Sequence, residues 1–188
     1  VGWNYSDHAQ EMGGGVPTEP LIFSKLVSSV VGPAGPVPRP DYTDRLDYEA
    51  ELAVVIGTRA RGVAPEDALD HVFGYAVMDD VTARDLQGKY SQWLIGKSQD
   101  TFCPMGPWAV TKDEIDIETT GIRCFVNDDL RQNSTTNLLI FDIPTIIATL
   151  SEGITLQPGD IIATGTPAGV GIGFTPPKYL KAGDVVRV

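Results

Sequence analysis

LDYEAELAVVIG, Leu46 to Gly57, reads as a β-strand: its residues are apolar or β-branched, no Gly or Pro interrupts it, and a Gly closes it. Strand side chains alternate between faces, so Glu49 and Glu51 point the same way. Val54, Val55 and Ile56 continue the strand as an apolar run, the pattern of a strand covered on both faces. Two carboxylates on one face beside such a run cost free energy unless something pairs with them. A divalent cation does so, and an arginine pair or a solvated sheet edge does so too; the stretch alone leaves these open.

Around this strand, 188 residues with 42% hydrophobic content suffice for one globular domain with a sizeable core. A formal net charge of -11 repels phosphate backbones and argues against a nucleic-acid partner. No apolar run reaches membrane-spanning length, so no membrane partner is expected, and no signal segment opens the chain. The chain starts at Val1-Gly2 without a Met and stops at GDVVRV within a strand pattern, so it reads as a piece truncated at both ends. Cys103 and Cys124 form neither a disulfide framework nor a zinc pattern, which points to a reducing, cytoplasmic setting. With only His8 and His71 available, a metal would be held mainly by oxygen, which favours Mg²⁺, Mn²⁺ or Ca²⁺.

The flanking segments add candidate groups. Val1 to Tyr5 is strand-like, and Ser6 or Asp7 can cap a short helix that places His8 and Glu11 three apart on one face. A carboxylate beside an imidazole raises its basicity and orients it, as a general base requires; an ordinary surface pair has the same spacing. Gly13-Gly14-Gly15 then forms a hinge, either for a lid or for a plain loop. Glu19 to Lys25 reads as a short strand ending in a cation, and VVGPAGPVPRPD as an extended loop. Val72 to Met78 is a second apolar strand, ending in Asp79-Asp80. Thr82 and Asp85 match a capping box, so a helix is expected from there. If helical geometry reaches back to Asp80, then Asp80, Arg84 and Gln87 form one stripe suited to a metal-bound carboxylate, or an exposed ion-paired face. Lys97, between Gly96 and Ser98, is a candidate oxyanion partner or a surface residue. Strands are expected at 107–111, 122–126 and 130–132, and a helix over 143–150. IIATGTPAGVG, Ile161 to Gly171, is a strand followed by a glycine-rich loop; no Lys follows the glycines, so it is no P-loop, but Gly165, Thr166 and Gly169 can approach an anion.

Taken together, GWNYSDHAQE, EPLIFSK, YEAELAVVIG, GYAVMDDVTARDLQ, GKSQDTFCP and GDIIATGTPAGVG resemble, in order and over nearly the whole chain, the fumarylacetoacetate hydrolase family. The chain is particularly similar to the branch of mitochondrial domain-containing homologues and their bacterial relatives. The resemblance implies an α+β fold built on a mixed β-sheet roll with few short helices, usually a homodimer. It implies one Mg²⁺ or Mn²⁺ on Glu49, Glu51 and Asp80, with Asp79 outside the ligand set. It assigns substrate binding to Arg84, Gln87 and Thr166, and catalysis to Lys97 and to the His8–Glu11 pair, which activates water in hydrolytic members. A small oxo-acid is the expected substrate, and C–C hydrolysis of an acylpyruvate or fumarylacetoacetate type is ranked first. Oxaloacetate tautomerisation or decarboxylation and 2-hydroxyhepta-2,4-diene-1,7-dioate isomerisation are the alternatives. A non-catalytic metal- and carboxylate-binding domain ranks behind them, because it has no need of His8 and Glu11. A eukaryotic protein of this branch would sit in the mitochondrial matrix.

Overall fold

In the computed structural model, which describes residues 1–188, the chain runs through α1 (Ser6–Glu11), β1 (Val30–Val31), β2 (Leu46–Asp47), β3 (Ala50–Ile56) and β4 (Val72–Asp79). It continues through β5 (Thr82–Ala83), α2 (Arg84–Lys89), α3 (Leu94–Lys97), β6 (Cys103–Thr111), β7 (Gly121–Val126) and β8 (Asp129–Thr135). It closes with α4 (Ile143–Gly153), β9 (Ile161–Ala163) and β10 (Val186–Arg187). The strands form a five-stranded sheet in the order β1-β6-β4-β3-β9, a three-stranded sheet β10-β7-β8, and the small pair β2-β5. Only β1 and β6 pair in parallel; every other pairing is antiparallel. Mixed curled sheets with few short helices make this an α+β fold, as expected.

The central strand is shorter than its sequence pattern. Leu46–Asp47 leaves it to pair with Thr82–Ala83, and the Glu49 N–H turns to the Asp79 carboxylate, 2.8 Å away. From Ala50 onward β3 is covered on both faces, as its apolar run requires. Leu52, Val54 and Ile56 pack with Ile143, Ile146 and Ile147 of α4. Ala53, on the opposite face, packs with Ala76, Met78 and Cys103. The apolar residues of α4 recur at helical spacing, Pro144 sits in its first turn, and Asp142 accepts a capping hydrogen bond from the Thr145 N–H at 2.8 Å. Ile147 has no solvent exposure, so Ile147→Ala is expected to cost about 2–5 kcal/mol in urea unfolding of metal-free protein.

Several local expectations are corrected. Val1–Tyr5 and Glu19–Lys25 form no strands; they contribute single bridges, Gly2 to Leu21 and Tyr5 to Leu139. Thr82 and Asp85 make no capping box. Thr82 is committed to β5 and donates its hydroxyl proton to the Asp80 carbonyl, while Asp85 accepts from the Thr43 hydroxyl. The helix therefore begins only at Arg84, and Asp80 is not on its stripe. No helix is long and apolar enough to cross a membrane.

Candidate active site

The ends of β3 and β4 bring the acids together. The Asp80 N–H donates to the Glu49 carbonyl at 2.9 Å, extending the β3–β4 pairing just far enough to set Asp80 beside Glu49 and Glu51. Carboxylate oxygens of all three lie within 4.8 Å of one another, and all three residues are buried. Lys97, at the C-terminal end of α3, places its Nζ 2.6 Å from Glu49 Oε2 and 2.8 Å from Asp80 Oδ2. Lys25 reaches in from the loop before β1 to Asp80 Oδ1 at 2.6 Å and also donates to the Lys97 carbonyl. Arg84, opening α2, bonds Glu49 Oε1 at 2.7 Å and Gln87 Oε1 at 3.1 Å through Nη1, and Asp47 Oδ2 at 2.8 Å through Nε. Its Nη2 is buried with no hydrogen-bond partner. Glu51 forms no ion pair; its Oε2 accepts from the Gly165 N–H at 2.7 Å.

These neighbours set the acidities. Burial works to raise the Glu49 carboxyl, but Lys97 and Arg84 beside it hold it down at about 2. Burial pushes the Glu51 carboxyl up to about 8, with Asp80 and Glu49 adding to the rise. Asp79 is pushed up to about 7, chiefly by burial. For Lys97 burial disfavours the charge, yet Asp80 and Glu49 outweigh it and raise its pKa.

The donor set fits a hard divalent cation. Five buried carboxylates (Asp47, Glu49, Glu51, Asp79 and Asp80) stand against three cations (Lys25, Arg84 and Lys97), a formal deficit of two positive charges. Glu49, Glu51 and Asp80 offer only oxygen, which suits Mg²⁺, Mn²⁺ or Ca²⁺ over softer metals.

A cavity of about 240 Å³ opens over this cluster. Seven of the nine expected site residues line it: His8, Glu49, Glu51, Arg84, Gln87, Lys97 and Thr166. Its other wall is apolar, with Trp3, Met12, Phe23, Trp93 and Ile172. Asp80 lies behind the wall with no exposure. Glu11 stands behind His8, its Oε2 3.1 Å from Nδ1. With the imidazole proton on Nδ1 and shared with Glu11, Nε2 carries the lone pair a base needs. The other Glu11 oxygen accepts from the Gly169 N–H at 2.9 Å. The glycine-rich loop therefore does turn its N–H groups toward acidic groups, but those are the chain's own carboxyls: Glu51, Glu11 and, through Gly171, Asp47. At φ +107° Gly165 adopts backbone that other residues rarely enter, and a Cβ there would strike Asn4 at 2.8 Å. Thr166 is oriented from behind: its hydroxyl accepts from Gln132 Nε2 at 2.8 Å, and Gln132 Oε1 in turn accepts from the Ala50 N–H at 2.9 Å.

Lys25, Asp47 and Gln132 escaped the sequence reading. Lys25 was visible only as the cation ending a supposed strand. Asp47 and Gln132 act on partners remote in sequence, and no local pattern marks them.

The family model described as the C-terminal domain of fumarylacetoacetate (FAA) hydrolase matches residues 1–188, the whole chain. The chain belongs to the fumarylacetoacetate hydrolase family. Within it, the chain is 54% identical over 190 residues to the mitochondrial oxaloacetate tautomerase fahd2 of Xenopus laevis, covering all of this chain and 60% of that protein. It is 50% identical over 192 residues to the oxaloacetate tautomerase YisK of Bacillus subtilis, covering 64% of that protein. The chain thus spans less than two thirds of the length of these relatives. Among solved structures, the fumarylacetoacetate hydrolase of psychrophilic Exiguobacterium antarcticum superposes with a TM-score of 0.91 at 50% identity, covering 99% of this chain and 68% of that one. The 2-hydroxyhepta-2,4-diene-1,7-dioate isomerase of Mycobacterium marinum gives 0.87 at 40% identity, covering 99% and 66%. The family is one of enzymes acting on small molecules, and these relatives carry the names of tautomerases and isomerases as well as of hydrolases.

Proposed function

We propose that this protein is a divalent-metal-dependent tautomerase that interconverts the keto and enol forms of a small 2-oxo acid, with oxaloacetate as the substrate and Mg²⁺ as the metal. The observation that carries the reading is one buried imidazole, oriented by Glu11, in the same cavity as the carboxylate cluster and its cations. The names of the relatives at 54% and 50% identity support the substrate. The order of preference is therefore reversed relative to the sequence alone, which ranked C–C hydrolysis first.

Glu49, Glu51 and Asp80 hold the metal, which supplies positive charge against the negative charge that develops on the 2-oxo group. Arg84, at the cavity wall with the Gln87 amide beside it, offers its guanidinium charge to a substrate carboxylate. Lys97 and Thr166 offer an ammonium and a hydroxyl to the enolising oxygens. His8 Nε2 takes a proton from C3 of the keto form and returns it to the oxygen on C2, so the proton count is unchanged and no bond between carbons breaks. The apolar wall of Trp3, Phe23 and Trp93 keeps bulk water from the enolate.

Replacing His8 separates binding from proton transfer. His8→Ala is expected to lower kcat by about 10²–10⁴-fold. Because His8 is not a metal ligand in this reading, the Mg²⁺ dissociation constant from calorimetry stays within about threefold of wild type.

The test is the ultraviolet absorbance of enol-oxaloacetate in the presence of the protein. Faster decay with Mg²⁺, abolished by chelator and yielding ketonic oxaloacetate with no more pyruvate than the protein-free control, is the expected result. Hydrolysis is the second reading, favoured by the same His8–Glu11 pair, which can equally activate water, and by the hydrolase structure at 50% identity. Pyruvate and a free acid released from an acylpyruvate, without any effect on enol-oxaloacetate, would replace the tautomerase with it. A homodimer belongs to the same proposal: Phe73, Val77 and Trp108 leave apolar surface exposed on neighbouring strands, and light scattering is expected to give twice the chain mass.

A further inference from the structure

Asp47 does not line the cavity and has no solvent exposure, yet it joins three parts of the site. Its Oδ2 accepts from Arg84 Nε at 2.8 Å and from the Ile172 N–H at 3.0 Å. Its Oδ1 accepts from the Gly171 N–H at 2.6 Å and from the Tyr48 N–H at 3.0 Å. The loop it holds is the one Glu11 holds from the other side, through the Gly169 N–H. The loop fits between the two acids because it has no side chains there: a Cβ on Gly171 would sit 2.5 Å from Asp47 Oδ1, and one on Gly173 would overlap the Glu11 carboxylate. Ile172, between these glycines, is a cavity wall.

The consequence for Arg84 is orientation. A guanidinium with Nε tied to Asp47 and Nη1 tied to Glu49 and Gln87 cannot rotate, and only Nη2 is left without a partner. We propose that Asp47 is a positioning residue for substrate binding: it fixes the Arg84 guanidinium at the cavity wall and seats the 169–173 loop, so that Arg84 and the His8–Glu11 pair stand in fixed register around the cavity. This rests on the reading of the cavity as an oxo-acid site. It extends that reading to a residue that touches neither metal nor substrate.

The test is calorimetric titration with oxalate, whose two adjacent carboxylates resemble the 1,2-dioxygen end of a 2-oxo acid, in the presence of Mg²⁺. In Asp47→Asn the amide keeps one acceptor oxygen but turns an NH₂ group toward the Arg84 Nε–H or the loop N–H groups. Oxalate affinity is expected to fall by about tenfold or more, while Mg²⁺ affinity stays within about threefold. Asp47→Glu keeps the charge that Arg84 needs for folding but displaces the carboxylate by one methylene, and is expected to weaken oxalate by about fivefold or more. In an Arg84→Met background Asp47→Asn is expected to add less than about twofold, because the two act as one unit. Wild-type oxalate affinity in Asp47→Asn, full rescue by Asp47→Glu, or an equal loss of Mg²⁺ and oxalate binding would each overturn the proposal. So would an undiminished effect of Asp47→Asn in the Arg84→Met background. A wild-type protein that binds Mg²⁺ but no oxalate overturns instead the oxo-acid reading beneath it.

Discussion

Glu51→Gln is expected to abolish Mg²⁺ binding and turnover and, at the same time, to raise the melting temperature of the metal-free protein. The two effects have one cause. Glu51 is 1% exposed, pairs with no cation, and its carboxylate oxygens lie within 4.8 Å of those of Glu49 and Asp80. With its carboxyl pushed up to about 8, chiefly by burial, Glu51 must take up a proton at neutral pH when the metal-free chain folds, and this opposes folding. Lys97 and Lys25 relieve Glu49 and Asp80 directly, whereas Glu51 has only the Gly165 N–H. Glutamine keeps the shape and the acceptor for Gly165 and has no proton to take up on folding, so the metal-free fold is expected to gain about 1–4 kcal/mol. Turnover is expected to fall by at least about 10³-fold, since the site loses one of its three anionic ligands and affinity for a hard cation follows ligand charge. Calorimetry with Mg²⁺ and thermal unfolding in chelator read the two effects separately. Retained Mg²⁺ affinity, or a lower melting temperature without metal, contradicts the assignment.

Lys97→Met shifts metal-free stability in the opposite direction. Lys97 is 1% exposed, and its ammonium bonds both Glu49 and Asp80. Removing one partner of a buried ionic cluster leaves the other charges uncompensated, at about 3–5 kcal/mol. Metal-free Lys97→Met is therefore expected to unfold at a much lower urea concentration than wild type. Mg²⁺ restores part of the loss, because a cation bound only to the folded state at 100 times its dissociation constant adds about 2.7 kcal/mol. Turnover remains at least about 10²-fold down even with Mg²⁺ bound, for want of the ammonium at the enolising oxygens. Unchanged urea stability in chelator would show that Lys97 does not compensate this cluster. The pair of variants separates a metal site from an ordinary salt-bridge network: both lose activity, but one strengthens the empty fold and the other weakens it.

What could be read from the sequence follows the range of the interactions. Glu49 and Glu51 were legible because strand alternation is local, and it survives even where the chain leaves the strand at Tyr48–Glu49. His8 and Glu11 were legible because three residues separate them on α1. The helix start at Thr82 was misjudged because a capping pattern competes with strand pairing, and the pairing of Thr82 with Asp47 is set by a segment far back in the chain. Asp80, Arg84 and Gln87 looked like one helical stripe. Instead Asp80 faces two lysines, while Arg84 and Gln87 face each other at the start of α2. Lys25 and Asp47 stayed hidden for the same reason: Lys25 bonds Asp80, 55 positions on, and Asp47 bonds Arg84 and Gly171, 37 and 124 positions on. Such pairs exist only once the sheet has formed. The choice of reaction was not legible either, since hydrolysis and tautomerisation call on the same acids, cations and base.

The most direct test of the account is proton exchange at C3 of oxaloacetate, followed by nuclear magnetic resonance in deuterated buffer with Mg²⁺. A tautomerase at this site gives protein-dependent incorporation of deuterium at C3, lost in Glu51→Gln and strongly slowed in His8→Ala, with pyruvate formed no faster than in the protein-free control. Pyruvate formed faster with protein than without it, or exchange that proceeds as fast in Glu51→Gln as in wild type, would contradict this reading.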